Sequence, residues 1–223
     1  PLIIIMKHLL TLWMLALCLC VSAKETCPKV IPALQEWKGG SGKLVLPAEG
    51  SIVVAPAEEA ALKSVATVLA QDLKDLLDWN YTIRTGKPGK NDIYLSLMKP
   101  DKQLGEEGYV LTAGRYAGIE APARQGAFWG TRSLLQILYN EKGQLPKGVA
   151  RDWSQYPSRG FMLDVGRKFF TMDFLRQYVK ILSFYKLNEF QIHLNDNGFV
   201  QFFDNDWNKT YAAFRLESER FPG

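Results

Sequence analysis

The sequence predicts an α+β domain followed by the opening of a parallel (β/α)8 TIM barrel, truncated after its first part. Three observations predict it. Up to about Trp153, short apolar runs bounded by Gly, Pro, Asn and Lys are interrupted by two segments of helical spacing, the pattern of a sheet with helices packed on one side. From Arg159 to Asn197, an apolar run, an amphipathic segment and a second apolar run follow one another, which is the strand, crossover helix and strand that a parallel sheet requires. Both apolar runs end in polar residues, and in a parallel barrel the strand ends form the active-site face. The expected division is a leader over 1–23, an α+β domain over 24–152 and the first part of the barrel over 153–223, from Trp153 to Gly223.

The leader is predicted from order. Met6-Lys7-His8 gives a basic start, Leu9 to Val21 is apolar but too short to span a bilayer, and Val21-Ser22-Ala23 offers small residues for cleavage. Pro1 to Ile5 precede a plausible start methionine. Export to a periplasmic or extracellular location is expected, with no transmembrane span. Bulky Leu17 before Cys18 makes a poor lipoprotein signal. After cleavage only Cys27 remains, so no internal disulfide forms. The three cysteines and two histidines show no zinc spacing, and neither metal nor cofactor is expected. The net charge of +4 comes from 27 basic residues spread along the chain, so no nucleic-acid footprint is indicated.

Lys43 to Leu46 and Ser51 to Ala55 are strand candidates around the Pro47-Ala48-Glu49-Gly50 turn. Glu58 to Trp79 carries Leu62, Val65, Ala66, Leu69, Leu73, Leu76 and Leu77 at helical spacing. Tyr81 to Arg84, Ile93 to Leu97, Gly108 to Thr112 and Gly118 to Glu120 read as strands. Ala123 to Tyr139 reads as a second helix, with Ala127, Phe128, Thr131, Leu134, Leu135 and Leu138 on one face. The following Asn140 to Gly148 stretch, with Gly143, Pro146 and Gly148, reads as a polar connection. Phe161 to Val165 lacks strict alternation, which suits a strand buried on both faces. A helix follows from about Met172, with Phe174, Leu175, Tyr178, Val179, Leu182, Phe184 and Tyr185 at helical spacing. Asp173 favours its N-terminal end, and Glu189 to Leu194 is the next strand.

Asp164, Arg167, His193, Asn195 and Asp196 fall at or just beyond the two strand ends. The Arg167 fork, with five donors in one plane, suits paired hydroxyls or a carboxylate. Asp196 has the chemistry to bind hydroxyls or orient another acid, and His193 to relay or orient a proton. The same residues equally fit a structural Asp164–Arg167 pair with His193 satisfied in the core. Phe199, Phe202, Phe203, Trp207, Tyr211 and Phe214 are dense after the second strand. They suit either a sugar-stacking platform or packing within a long loop. Asn80-Tyr81-Thr82 and Asn208-Lys209-Thr210 match the short glycosylation triplet.

Two stretches carry a resemblance. Arg159-Gly160-Phe161-Met162-Leu163-Asp164-Val165-Gly166-Arg167-Lys168-Phe169-Phe170 is the first. Tyr185-Lys186-Leu187-Asn188 with His193-Leu194-Asn195-Asp196-Asn197 is the second. Together they resemble the barrel-opening motifs of the family 20 glycoside hydrolases, the β-N-acetylhexosaminidases. Gly126 to Gly130 and Leu134 to Gln136 are similar to the last helix of the family's small N-terminal domain. The resemblance implies removal of terminal GlcNAc or GalNAc from glycans, the partner being a glycan ending in N-acetylhexosamine. It implies that Arg167 binds the terminal sugar's hydroxyls and that Asp196 lies beside the acid and orders the substrate site. It also implies that His193 and Asp164 support them. The family's chemistry is substrate-assisted and uses an adjacent Asp-Glu pair further along the barrel, an exception to the usual two enzyme carboxylates. No Asp-Glu dipeptide occurs in these 223 residues. The resemblance therefore places the pair beyond Gly223, no catalytic residue is assigned, and the chain alone is expected to be inactive.

Four positions depart from the family pattern: Lys168 and Gln191 stand for His, Asn197 for Asp, and Phe199 near a usual Trp. The alternatives are a related acetamido-sugar or uronic-acid glycosidase, a non-catalytic glycan-binding protein that keeps Arg167, and a purely structural module.

Overall fold

The computed structural model describes residues 25–196, 198–209 and 219–220. The leader expected over 1–23, and Asn197, Tyr211, Phe214 and Gly223, lie outside the described residues. The barrel part expected to run to Gly223 is thus described continuously only to Asp196, and then over 198–209 and 219–220. The chain forms two compact units that divide between Trp153 and Ser154.

The first unit is built on a seven-stranded sheet. Its strands are β1 (Glu36–Val45), β2 (Glu49–Val54), β3 (Asn80–Thr85), β4 (Ile93–Leu97), β5 (Tyr109–Ala113), β6 (Ala117–Ala121) and β7 (Gln144–Asp152). They are arranged in the order β1-β7-β5-β6-β4-β2-β3. β3, β2, β4 and β6 run parallel, and β5, β7 and β1 are added antiparallel. Helices α1 (Glu59–Leu77) and α2 (Arg124–Asn140) pack on each other and on the sheet. In α1 the predicted stripe is real through Leu62, Val65, Ala66, Leu69 and Leu73, all buried. Leu76 departs from it and is exposed, because the helix ends one residue later and Asp78 turns left-handed, returning its N–H to Lys74 O at 3.0 Å.

Three expectations need correction. The stretch read as a polar connection is a turn only over 141–143; from Gln144 it is β7, hydrogen-bonded between β1 and β5. Pro146 argues against a strand, since proline is rare inside sheets. Here it faces Lys43 of β1, while β5 reaches only from Gly148 to Asp152 of β7. At Pro146 the strand therefore has one neighbour, and the missing N–H costs no ladder bond. β1 likewise begins well before Lys43, and its register shifts between Gly39 and Lys43, which hid the alternation. Finally, α2 is not one-faced: Thr131 to Leu138 are all buried.

Polar groups on this buried helix are paired. The Arg132 guanidinium donates to Asp72 of α1 at 2.5 Å, and the Tyr109 hydroxyl lies 2.6 Å from Ser133 Oγ. Tyr109 also donates to Asp152 at 2.5 Å. Burial first, and the Asp152 charge second, hold this phenol well above its ordinary range.

Helix α2 meets the sheet through glycine. A Cβ on Gly126 would lie 2.0 Å from the Gly108 carbonyl oxygen, and one on Gly130 would lie 2.6 Å from Ile119 Cγ2. Ordinarily Gly→Ala within a helix stabilises by about 1 kcal/mol. Gly126→Ala is expected to reverse that sign, with a net loss of about 2 kcal/mol because a backbone oxygen cannot rotate away. Gly130→Ala meets a side-chain methyl and is expected to cost less. Thermal denaturation of the two variants checks the order; equal or improved stability in Gly126→Ala rejects it.

The second unit contains β8 (Gly160–Asp164), α3 (Met172–Phe184) and β9 (Glu189–His193). The strands are parallel, from Gly160 opposite Glu189 to Asp164 opposite His193. Thr171 caps α3 by accepting from Phe174 N at 3.2 Å. Tyr178 packs against Phe161 of β8 and Phe190 of β9, at centroid distances of 5.4 and 5.7 Å. The composition of β8 suits a strand buried on both faces, but with only two barrel strands among the described residues Phe161 and Met162 are 42% and 51% exposed. One helix over two strands leaves much of their apolar surface open. Among the described residues, no helix is long and apolar enough to cross a membrane.

Candidate active site

The two motif stretches are tied together at the start of β8. The Arg159 amide donates to Asn188 Oδ1 at 2.9 Å, its Nε to Lys186 O at 2.8 Å, and Asn188 Nδ2 to Pro157 O at 2.7 Å. With that end fixed and the strands in parallel register, Asp164 and His193 emerge side by side at the other end.

Four of the five candidates converge there. Asp164 Oδ1 accepts from the amides of Gly166 and Arg167, both at 3.0 Å, and its Oδ2 lies 3.2 Å from Arg167 Nη1. Arg167 Nη2 donates to Asp196 Oδ2, and that same oxygen lies 2.8 Å from His193 Nε2. Asp196 beside a guanidinium is a carboxylate and can only accept, so His193 carries its proton on Nε2. The backbone closes the same corner: Val165 and Gly166 amides donate to His193 O at 3.0 and 3.1 Å. A Cβ on Gly166 would sit 2.9 Å from Asn195 Cα and Asp196 N, so glycine is what lets the two strand-end loops meet. For Asn195, among the described residues, only this backbone approach is seen.

The structural alternative holds in part. Asp164 and Arg167 do pair, but His193, with a side chain 40% exposed, is no core histidine. Arg167 is 36% exposed at its side chain. Among the described residues its Nε is buried without an acceptor, Nη2 donates to Asp196 Oδ2, and Nη1 is ion-paired with Asp164 Oδ2 at 3.2 Å. A guanidinium has two hydrogens on each terminal nitrogen, so among the described residues both Nη1 and Nη2 keep hydrogen for a ligand.

Asp164, His193 and Asp196 also place ligand-type atoms within 4.8 Å of one another. Arg167 bridges the two carboxylates and already supplies the positive charge a metal would bring, so the cluster is better described as an arginine seat than a metal centre.

Sequence reasoning did not assign Phe199 a role beyond the aromatic cluster. Its ring lies under the Arg167 guanidinium, with Cζ 5.1 Å from the centroid. The signal was its position three residues after Asp196. Of the aromatic cluster, Phe202 and Trp207 are exposed, which does not fit loop packing for those two rings.

Residues 27–153 match glycosyl hydrolase family 20, domain 2, and residues 156–203 match the glycosyl hydrolase family 20 catalytic domain. The chain belongs to glycosyl hydrolase family 20. A beta-hexosaminidase of Porphyromonas gingivalis is 31% identical over 172 residues, covering 72% of this chain and 20% of that protein. A lacto-N-biosidase of Bifidobacterium bifidum is 31% identical over 166 residues, covering 73% of this chain and 14% of that protein. Among solved structures, a mutant Streptomyces plicatus beta-hexosaminidase in complex with the product GlcNAc superposes with a TM-score of 0.66 at 28% identity. That match covers 79% of this chain and 36% of that one. The family 20 chain described here thus spans between about a seventh and a third of the length of these relatives.

Proposed function

We propose that these residues belong to an exported β-N-acetylhexosaminidase that removes terminal GlcNAc or GalNAc from glycans with retention of configuration. The observation that carries the reading is Arg167, held at the strand ends by Asp164 and Asp196 while both terminal nitrogens, among the described residues, keep hydrogen to donate. Two parallel donors in one plane fit two neighbouring hydroxyls of a sugar ring. Export is supported by the basic start, apolar stretch and small residues of 6–23.

The chemistry the family implies is substrate-assisted. The acetamido oxygen bonds to the anomeric carbon as the bond to the leaving oxygen breaks, and a carboxylic acid gives that oxygen its proton. Water then adds to the anomeric carbon, losing a proton to the same carboxylate and releasing the acetamido group. Arg167 anchors the ring while this happens, and Asp196 with His193 holds Arg167. The acetamido-orienting Asp and the acid Glu, which the family pattern puts beyond Gly223, are not among these 223 residues, which contain no Asp-Glu dipeptide.

The test is turnover of an aryl N-acetyl-β-hexosaminide by the longer protein that carries this segment. The expected result is release of the phenol with the β-anomer of the sugar formed first, and no turnover by the 223-residue chain alone. No turnover by the longer protein, or the α-anomer first, rejects the reading; sugar binding without turnover favours a glycan-binding protein instead. The lacto-N-biosidase relative supports a second reading, release of a disaccharide, which product mass separates from the first.

A further inference from the structure

We infer that Phe199 is a positioning residue for Arg167, and through it sets how tightly the terminal sugar is held. The inference rests on the proposed sugar-binding role of Arg167.

Asp164 and Asp196 grip the guanidinium by its edge, through one contact on each terminal nitrogen. Contacts on two corners fix the edge, and the tilt of the plane about it is left to the covalent stem at Nε and to whatever packs against its face. The remaining nitrogen, Nε, has no acceptor among the described residues to fix that tilt. The Phe199 ring adds a restraint from the face, 5.1 Å from Cζ. That is within the roughly 6 Å over which a ring quadrupole attracts a cation.

Phe199 is itself held. The Phe202 amide donates to Phe199 O at 2.9 Å in the short 3₁₀ turn Val200–Phe203, and the two rings meet edge to face at 5.8 Å and 69°. Yet Phe199 is 45% exposed, so burial of its own ring is not what this geometry serves. A leucine would cover a similar area and would lack the negative ring face.

Phe199→Leu and Phe199→Tyr in the longer protein separate these roles. On an aryl N-acetyl-β-hexosaminide, Phe199→Leu is expected to raise KM about two- to five-fold, the range of a partly exposed cation–π contact, with kcat nearly unchanged. Phe199→Tyr, which keeps the ring, is expected to restore KM. An unchanged KM in Phe199→Leu overturns the inference, as does an equal loss of kcat in both variants. Crystal structures of the two variants decide the matter without activity. The guanidinium plane should tilt about its held edge in Phe199→Leu and keep its wild-type tilt in Phe199→Tyr; an unmoved Arg167 in both overturns the inference. An inert wild-type protein would count against the hexosaminidase reading, whereas Arg167 staying in place counts against Phe199 alone.

Discussion

Arg167→Ala in the longer protein is expected to lower kcat/KM on N-acetylhexosaminides by roughly 100- to 1,000-fold. In the proposed role Arg167 would give two charge-assisted hydrogen bonds to sugar hydroxyls, at about 1.5–3 kcal/mol each, only part of which survives as net loss. A second effect adds to it. Without the guanidinium, Asp164 and Asp196 face each other with no cation between them, and the like charges push the strand-end loops apart. Arg167→Lys tests which part dominates. Lysine keeps the charge, so it can still separate the two carboxylates, but it is a single point donor and cannot bridge both and a sugar at once. The expected loss is therefore still on the order of 100-fold, carried mainly by KM, with the fold intact by circular dichroism. Values within five-fold of wild type for Arg167→Ala would remove Arg167 from the substrate site.

The site was legible because its residues are set by chain order. Two parallel strands in register bring their C-terminal ends together, so Asp164 and His193 become neighbours wherever the strands are correctly placed. Arg167 and Asp196, three residues beyond each, then fall within reach. What stayed hidden depends on close approach in space. Nothing in the spacing says that Phe199 turns back beneath Arg167, because that requires the turn after Asp196. In the first unit the helices and parallel strands were readable from periodicity, whereas β7 was not. Its proline and glycines carry turn chemistry, and only the ends of β1 and β5 decide that Pro146 sits where no bond is lost. Helix α2 shows the same limit: its buried arginine reads as a surface residue until Asp72, 60 positions earlier, is seen beside it.

Asp72→Ala is expected to destabilise the protein by about 3–5 kcal/mol, the cost of breaking a buried ion pair from one side. The Arg132 side chain is 3% exposed and its partner Asp72 only 16%, so without the carboxylate the guanidinium is left largely shielded from water. Its Nε and Nη2 still reach Thr131 Oγ1 at 3.1 and 3.0 Å, and Phe128 still lies 4.5 Å from Cζ, but neither partner carries a negative charge. Burial already pulls this guanidinium below its ordinary value, and the Asp72 carboxylate is what pushes it back. The pair itself is another matter, because desolvating both ions consumes most of their attraction. Arg132→Met with Asp72→Leu, which removes both charges and keeps apolar volume, should therefore be much closer to wild type than Asp72→Ala alone. Urea denaturation of the single and double variants measures this, and the coupling should exceed about 2 kcal/mol. If Asp72→Ala lies within about 1 kcal/mol of wild type, the range of an exposed ion pair, the guanidinium has found water. The α1–α2 interface would then be looser than the packing around Arg132 requires.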